Sequence, residues 1–312
     1  LGGMDYDGVP TGVKWCEEED NMMTEEQRAA LREMIARGKM GEVTDLELER
    51  YPAKEVEIRV ETSLGSTAVY VYENCDSSTE RPLVINFHGG GFIKGRNRRD
   101  ELFCRKMANL LGAVVVDLDY HLAPEYPYPA AVEESWEVVR WCWEQRERLG
   151  FDPGKIVLIG HSAGGNLAAG VGMRLGESGL FRPACLVLDY PPMDLATDPA
   201  EKERTSCDMT VERAREYNRQ YIPPERSREP YASPVYAPER MLAGLPDTLV
   251  ISAGEDSLCV EDEEFALRLA RSGVTVTLRR FTDSLHGFVI NRRCEWEAAE
   301  ELIVRFIKQH VS

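Results

Sequence analysis

The 312-residue chain is short of several things, and each shortage excludes a class of protein. Its eight cysteines include no Cys-x-x-Cys pair, so no zinc site or redox dithiol of that spacing is expected. They are too sparse for a disulfide scaffold. Cys142 (in RWCWE) and Cys185 (in ACLVL) sit in apolar runs, as reduced, buried or half-buried thiols do. No run of about 18 apolar residues exists, so no membrane-spanning helix is expected. Positive charge is scarce, with 37 Lys and Arg against 54 Asp and Glu and a net charge of −17. Such a surface repels phosphate backbones, which argues against nucleic-acid binding. The first residues have neither a basic stretch nor an apolar one of signal-peptide type, and Leu1-Gly2-Gly3 ahead of Met4 reads as an added extension. Together these absences imply a reduced, cytoplasmic setting.

What is present is ordinary for a globule: 43% hydrophobic and 29% charged residues. A chain of this length buries roughly three quarters of its unfolded surface, enough for a large core without staples. No internal repeat or low-complexity segment is visible. A helix is expected near 25–37, with Thr24 and Gln27 as a capping box and Gly38 as its stop. EVEIRVET (55–62) and TAVYVYEN (67–74) alternate across Gly65-Ser66 and read as an antiparallel hairpin. Then the pattern changes. PLVINFHG (82–89), AVVVDLDY (113–120), KIVLIGHS (155–162), ACLVLDYP (184–191), DTLVISAG (247–254) and VTVTLRRF (274–281) are short, continuously apolar runs, as strands buried on both faces of a parallel sheet are. Helical patterns lie between most of them, near 99–111, 131–148, 164–176, 260–271 and 295–309. This alternation implies an α/β fold with helices on both faces of an eight-stranded, mostly parallel sheet. One connection is much longer, from ACLVLDYP to DTLVISAG, and VERAREYNRQYI (211–222) within it reads as a helix. The expected organisation is an N-terminal cap segment, 1–50, and a catalytic domain, 51–312, with a cap insertion at about 194–242.

The sharpest motif is Gly160-His161-Ser162-Ala163-Gly164-Gly165, between the strand KIVLI and the helical NLAAGVGMRL. A Gly-x-Ser-x-Gly in strand–turn–helix context makes a tight, strained elbow that lifts the serine hydroxyl out of the sheet top, so Ser162 is the expected nucleophile. A phosphate cradle would want a Lys or a Gly-x-Gly-x-x-Gly, and neither is present. The second motif, His88-Gly89-Gly90-Gly91, follows PLVINF. Bare glycine N–H groups let the main chain approach a ligand, so Gly90 and Gly91, with Ala163, are expected to form an oxyanion hole, His88 bracing the loop. The base follows by elimination among five histidines. His88 and His161 belong to motif backbones, His121 precedes the serine, and His310 ends the chain. His286, just after VTVTLRRF, remains. The acid is expected between Ser162 and His286, where Glu255-Asp256 leaves a strand's C-terminal end; Asp256 is preferred to Glu255 and to Asp283.

The chain resembles the hormone-sensitive-lipase-like carboxylesterases of the α/β-hydrolase fold. The matching stretches are HGGGF (88–92), DYHLAPEYPYPAA (119–131), GHSAGGN (160–166), Tyr190-Pro191, GEDSL (254–258) and HGF (286–288), over roughly residues 80–290. The resemblance implies a helical cap, a preference for short acyl esters, and Asp256 rather than Glu255 as the acid. There are two departures. The family usually has Asp before the serine, where this chain has His161. It often reads Asp-Pro-Leu and then a basic–acidic pair, where this chain has Asp256-Ser257-Leu258-Cys259-Val260.

The expected activity is therefore that of a serine carboxylesterase acting through Ser162, His286 and Asp256, without metal or cofactor. Its partner would be a small-molecule ester, with no nucleic acid or membrane, and the chain would be a monomer or homodimer. Phe92, Tyr120, Tyr190 and Phe288 adjoin the motifs and are expected to wall the substrate pocket. A formamidase or amidase would use the same groups. Relatives that have become ligand receptors lack the histidine that His286 supplies here.

Overall fold

The computed structural model describes residues 13–15, 42–74, 80–203 and 209–312. The helix expected near 25–37 lies outside them. Among the described residues the strands are β1 (Val13–Trp15), β2 (Lys54–Thr62), β3 (Gly65–Glu73), β4 (Leu83–Phe87), β5 (Val114–Asp119), β6 (Ile156–His161), β7 (Cys185–Asp189), β8 (Thr248–Glu255) and β9 (Val276–Leu285). They form one sheet in the order β1-β9-β8-β7-β6-β4-β5-β3-β2. The eight strands read from the sequence are all there. β1 is an addition, three residues pairing in parallel with the edge of β9. β3 pairs antiparallel with both β2 and β5, and the other pairings are parallel.

Continuous apolar runs became strands here because both faces of the sheet are covered. Leu186 and Leu188 of β7 join one core cluster, and Cys185 and Val187 join the other. The same split divides Leu83, Ile85 and Phe87 from Val84 in β4. The covering helices are α1 (Arg98–Leu111), α2 (Ala130–Glu144), α3 (Ala163–Ser178), α5 (Cys259–Arg271) and α6 (Trp296–Val311), with α4 (Val211–Tyr221) inside the long β7–β8 connection. Their limits have local causes. Asn97 and Asp100 make a reciprocal capping box at the start of α1, and Gly112 ends it in the left-handed region at φ 61°. α3 packs closely enough that small residues are needed along it. A methyl on Gly176 would stand 3.0 Å from Gly244 Cα.

Every parallel strand points the same way, so β4, β6, β8 and β9 deliver their following loops to one edge. The loops after these four strands carry Ser162, Asp256, His286 and the candidate oxyanion-hole residues Gly90 and Gly91, and the third such residue, Ala163, begins α3. No helix among the described residues is long and apolar enough to cross a membrane.

Candidate active site

Ser162 sits on the turn between β6 and α3 at φ 53°, ψ −124°, a conformation that side chains rarely adopt. Two contacts force the turn. A methyl built on Gly160 would stand 2.1 Å from the Gly164 carbonyl oxygen, and one on Gly164 would stand 1.9 Å from that of Phe87. Bare glycines thus let α3 begin directly against the end of β4. The Ser162 N–H donates to the Asp189 carbonyl at 2.9 Å, which ties the elbow to β7.

The Ser162 hydroxyl lies 2.8 Å from His286 Nε2, and His286 Nδ1 lies 2.6 Å from Asp256 Oδ2. Asp256 is buried, and its Oδ1 also accepts the Leu258 N–H at 3.2 Å. The His286 ring is one-third exposed (33%), and the Tyr190 ring meets it edge-on at 5.2 Å between centres. Of the three carboxylates weighed from sequence, Asp256 is the one that faces Nδ1. Glu255 ends β8 where the register with β9 shifts, and Asp283 is buried within β9, its N–H donating to Glu295.

The glycine loop lies over the elbow. A methyl on Gly89 would be 3.4 Å from Ser162 Cβ. Gly90 and Gly91 take φ 124° and 61°. Their N–H groups, like that of Ala163 in the first turn of α3, donate to no acceptor among the described residues. His88 braces this loop from below. Its Nδ1–H donates to the Gly89 carbonyl at 2.7 Å, its ring stacks on Tyr120 at 4.2 Å, and the Tyr120 hydroxyl donates to the His88 carbonyl at 2.9 Å.

His161 departs from the family pattern and has its own partner. Its Nδ1 meets Asp189 Oδ2 at 2.6 Å, both side chains being buried. Burial pushes the Asp189 carboxyl up, against the pull of the His161 hydrogen bond. The pair occupies facing positions of β6 and β7, so it buttresses the elbow from one side.

The four aromatics read as pocket walls are all buried, at 3% exposure or less. Phe92 stacks on Tyr221 of α4 at 3.6 Å, and Tyr190 and Phe288 pack on each other at 5.6 Å. They pack against neighbouring rings, Tyr190 also against His286. The side chain that reaches the glycine loop from above is Tyr217, whose ring a methyl on Gly91 would strike. Tyr217 and Tyr221 are four residues apart on α4, so one helix face grips Gly91 and Phe92 together. That spacing was visible in EYNRQY. The partner it faces was not, because the contact spans more than a hundred residues.

The model of the α/β-hydrolase-fold family matches residues 84–290, the stretch that carries every one of these groups. The chain belongs to this family. Within it the chain is of the hormone-sensitive-lipase-like carboxylesterase type. It is 32% identical to Esterase LipI of Mycobacterium tuberculosis over 225 residues, 72% of this chain and 70% of that one. It is 38% identical over 115 residues to the hormone-sensitive lipase of Ictidomys tridecemlineatus, 37% of this chain and 15% of that one. Among solved structures, the hyperthermophilic esterase of Pyrobaculum calidifontis superposes with a TM-score of 0.77 at 32% identity, covering 90% of this hydrolase and 93% of that esterase.

Proposed function

We propose that this hydrolase is a serine carboxylesterase for short acyl esters, with Ser162 as nucleophile, His286 as base and Asp256 as the acid that orients it. The observation that carries the reading is the unbroken Ser162–His286–Asp256 hydrogen-bond chain at 2.8 and 2.6 Å, beneath a glycine loop with unengaged N–H groups.

The chemistry follows in two halves. Ser162 Oγ attacks the ester carbonyl as His286 Nε2 takes its proton, and Asp256 stabilises the imidazolium. The carbonyl electron pair moves onto oxygen, which the N–H groups of Gly90, Gly91 and Ala163 meet at the N-terminus of α3. Collapse expels the alcohol, protonated by His286, and leaves an acyl-serine. Water then attacks that ester, giving its proton to His286. The second collapse returns the proton to Ser162 and releases the acid.

The short-chain preference rests on α4. Tyr217 over Gly91 and Tyr221 against Phe92 close the space above the glycine loop, so α4 acts as a cap and leaves little depth for a long acyl chain. Ser162→Ala is the test: kcat on 4-nitrophenyl butyrate should fall by on the order of 10⁶, and labelling by a fluorophosphonate probe should vanish. More than a few per cent residual activity would remove Ser162 from its role.

A further inference from the structure

The rim above the glycine loop carries two basic side chains, in a chain whose net charge is −17. Lys94 lies three residues past Gly91 and turns back over the loop, so that a methyl on Gly90 would stand 2.9 Å from Lys94 Cβ. Its Nζ is 5.5 Å from the centre of the Tyr217 ring. Arg213, one helical turn before Tyr217, places its guanidinium 5.9 Å from the same ring. Burial would raise the Tyr217 hydroxyl's pKa, but hydrogen bonding to Lys94 and Arg213 outweighs it and holds the phenol below its usual range. Tyr217 thus gathers two cations at the edge of the site.

Neither cation has a carboxylate partner among the described residues, and two of the neighbouring carboxylates are engaged elsewhere. Asp198 is held by Arg215, and Glu216 by Arg219 and Gln220. Asp119 lies 3.8 Å from His88 Nε2, which makes no hydrogen bond, so its charge remains near the same loop. Glu212, next to Arg213 in sequence, is exposed and forms no ion pair with it. With acidic residues in such excess, two cations that meet at Tyr217 and have no carboxylate partner among the described residues are the arrangement an anionic group would complete. Both flank the Tyr217 ring, which itself lies against Gly91.

We propose that Lys94 and Arg213, aligned by Tyr217, form an anion subsite, and that the preferred esters carry a carboxylate on the acyl or the alcohol part. The inference rests on the esterase reading and deepens it. A substrate carboxylate at the rim would gain attraction from two exposed cations, and neutral esters would gain none.

The test uses the full chain and two matched ester pairs. The first is 4-nitrophenyl pentanoate against mono-4-nitrophenyl glutarate, with the charge on the acyl group. The second is phenyl butyrate against 4-carboxyphenyl butyrate, with the charge on the leaving group. The expected result is a higher kcat/KM for the anionic member of at least one pair. In Lys94→Gln/Arg213→Gln the anionic-to-neutral ratio should drop about tenfold, the scale of two exposed charge pairs, and 0.5 M NaCl should erode the wild-type ratio in the same direction. Lys308→Gln, on α6, should leave the ratio where it was. No anionic preference in either pair, or a ratio that survives the double substitution, would overturn the subsite while leaving the esterase reading intact. Failure to hydrolyse any of the four esters would remove both.

Discussion

Substituting Gly164 with alanine tests the packing that raises the nucleophile, and the structure fixes the size of the effect. The new methyl would lie 1.9 Å from the Phe87 carbonyl oxygen, where real methyl contacts begin at about 3.0 Å. The neighbour is backbone at the end of β4, not the tip of a flexible side chain. The start of α3 must therefore retreat by about 1.1 Å, or β4 must bend. Overpacking of this kind costs about 1–3 kcal/mol, at the upper end here because the strand is buried on both faces. In a chain of this length about 3 kcal/mol is about 5 °C of Tm. The catalytic effect should be larger than the loss of stability suggests. Ser162 is two residues away on the same turn, and a 1 Å misplacement of a reacting atom costs about 10²-fold. Gly164→Ala should therefore melt about 5 °C lower by calorimetry, remain folded at 25 °C, and lose about 10²-fold in kcat with little change in KM. A variant that melts within 1 °C of wild type and keeps half its activity would mean that α3 does not abut β4 as described.

Three further outcomes follow from single sites. Asp256→Asn should lower kcat by about 10⁴ by leaving His286 in the wrong tautomer, whereas Glu255→Gln should cost little; a reversal of the two would move the acid to Glu255. Glu261 is buried beside Lys202, and burial pushes its carboxyl from 4.5 up to about 7. An acid raised in the fold keeps a proton that the unfolded chain has already released, so it removes stability as pH rises from about 4.5 to 7. Glu261→Gln should flatten that part of the Tm–pH curve, and an unaltered slope would contradict the assignment. Along a 4-nitrophenyl ester series, kcat/KM should climb by up to about 0.8 kcal/mol per methylene while apolar wall remains, peak at about C2 to C6, and then fall; a maximum at palmitate would refute the capped site.

The sequence was legible where local chemistry and the fold demand the same thing. A strand covered on both faces has no polar side to show, so KIVLIGHS (155–162) and ACLVLDYP (184–191) could be read as parallel strands, and β6 and β7 begin and end within one or two residues of those runs. The elbow was legible because bare Cα positions are required at Gly160 and Gly164 by contacts only a few residues away. His286 could be reached by elimination only because histidines are few. What could not be read depends on which distant segments meet. β1 is three residues long, and its edge of β9 supplies the pairing that its own sequence barely signals. His161 looked like a departure without a reason until β7 placed Asp189 opposite it. The surroundings of the motif aromatics could not be read for the same cause. An aromatic beside a motif packs behind the loop or faces the substrate according to which helix arrives, and α4 arrives with Tyr221 against Phe92 and Tyr217 over Gly91. The chemistry of this hydrolase is written in short motifs. In the long connection after β7 the sequence announces a helix but not the loop it will cover.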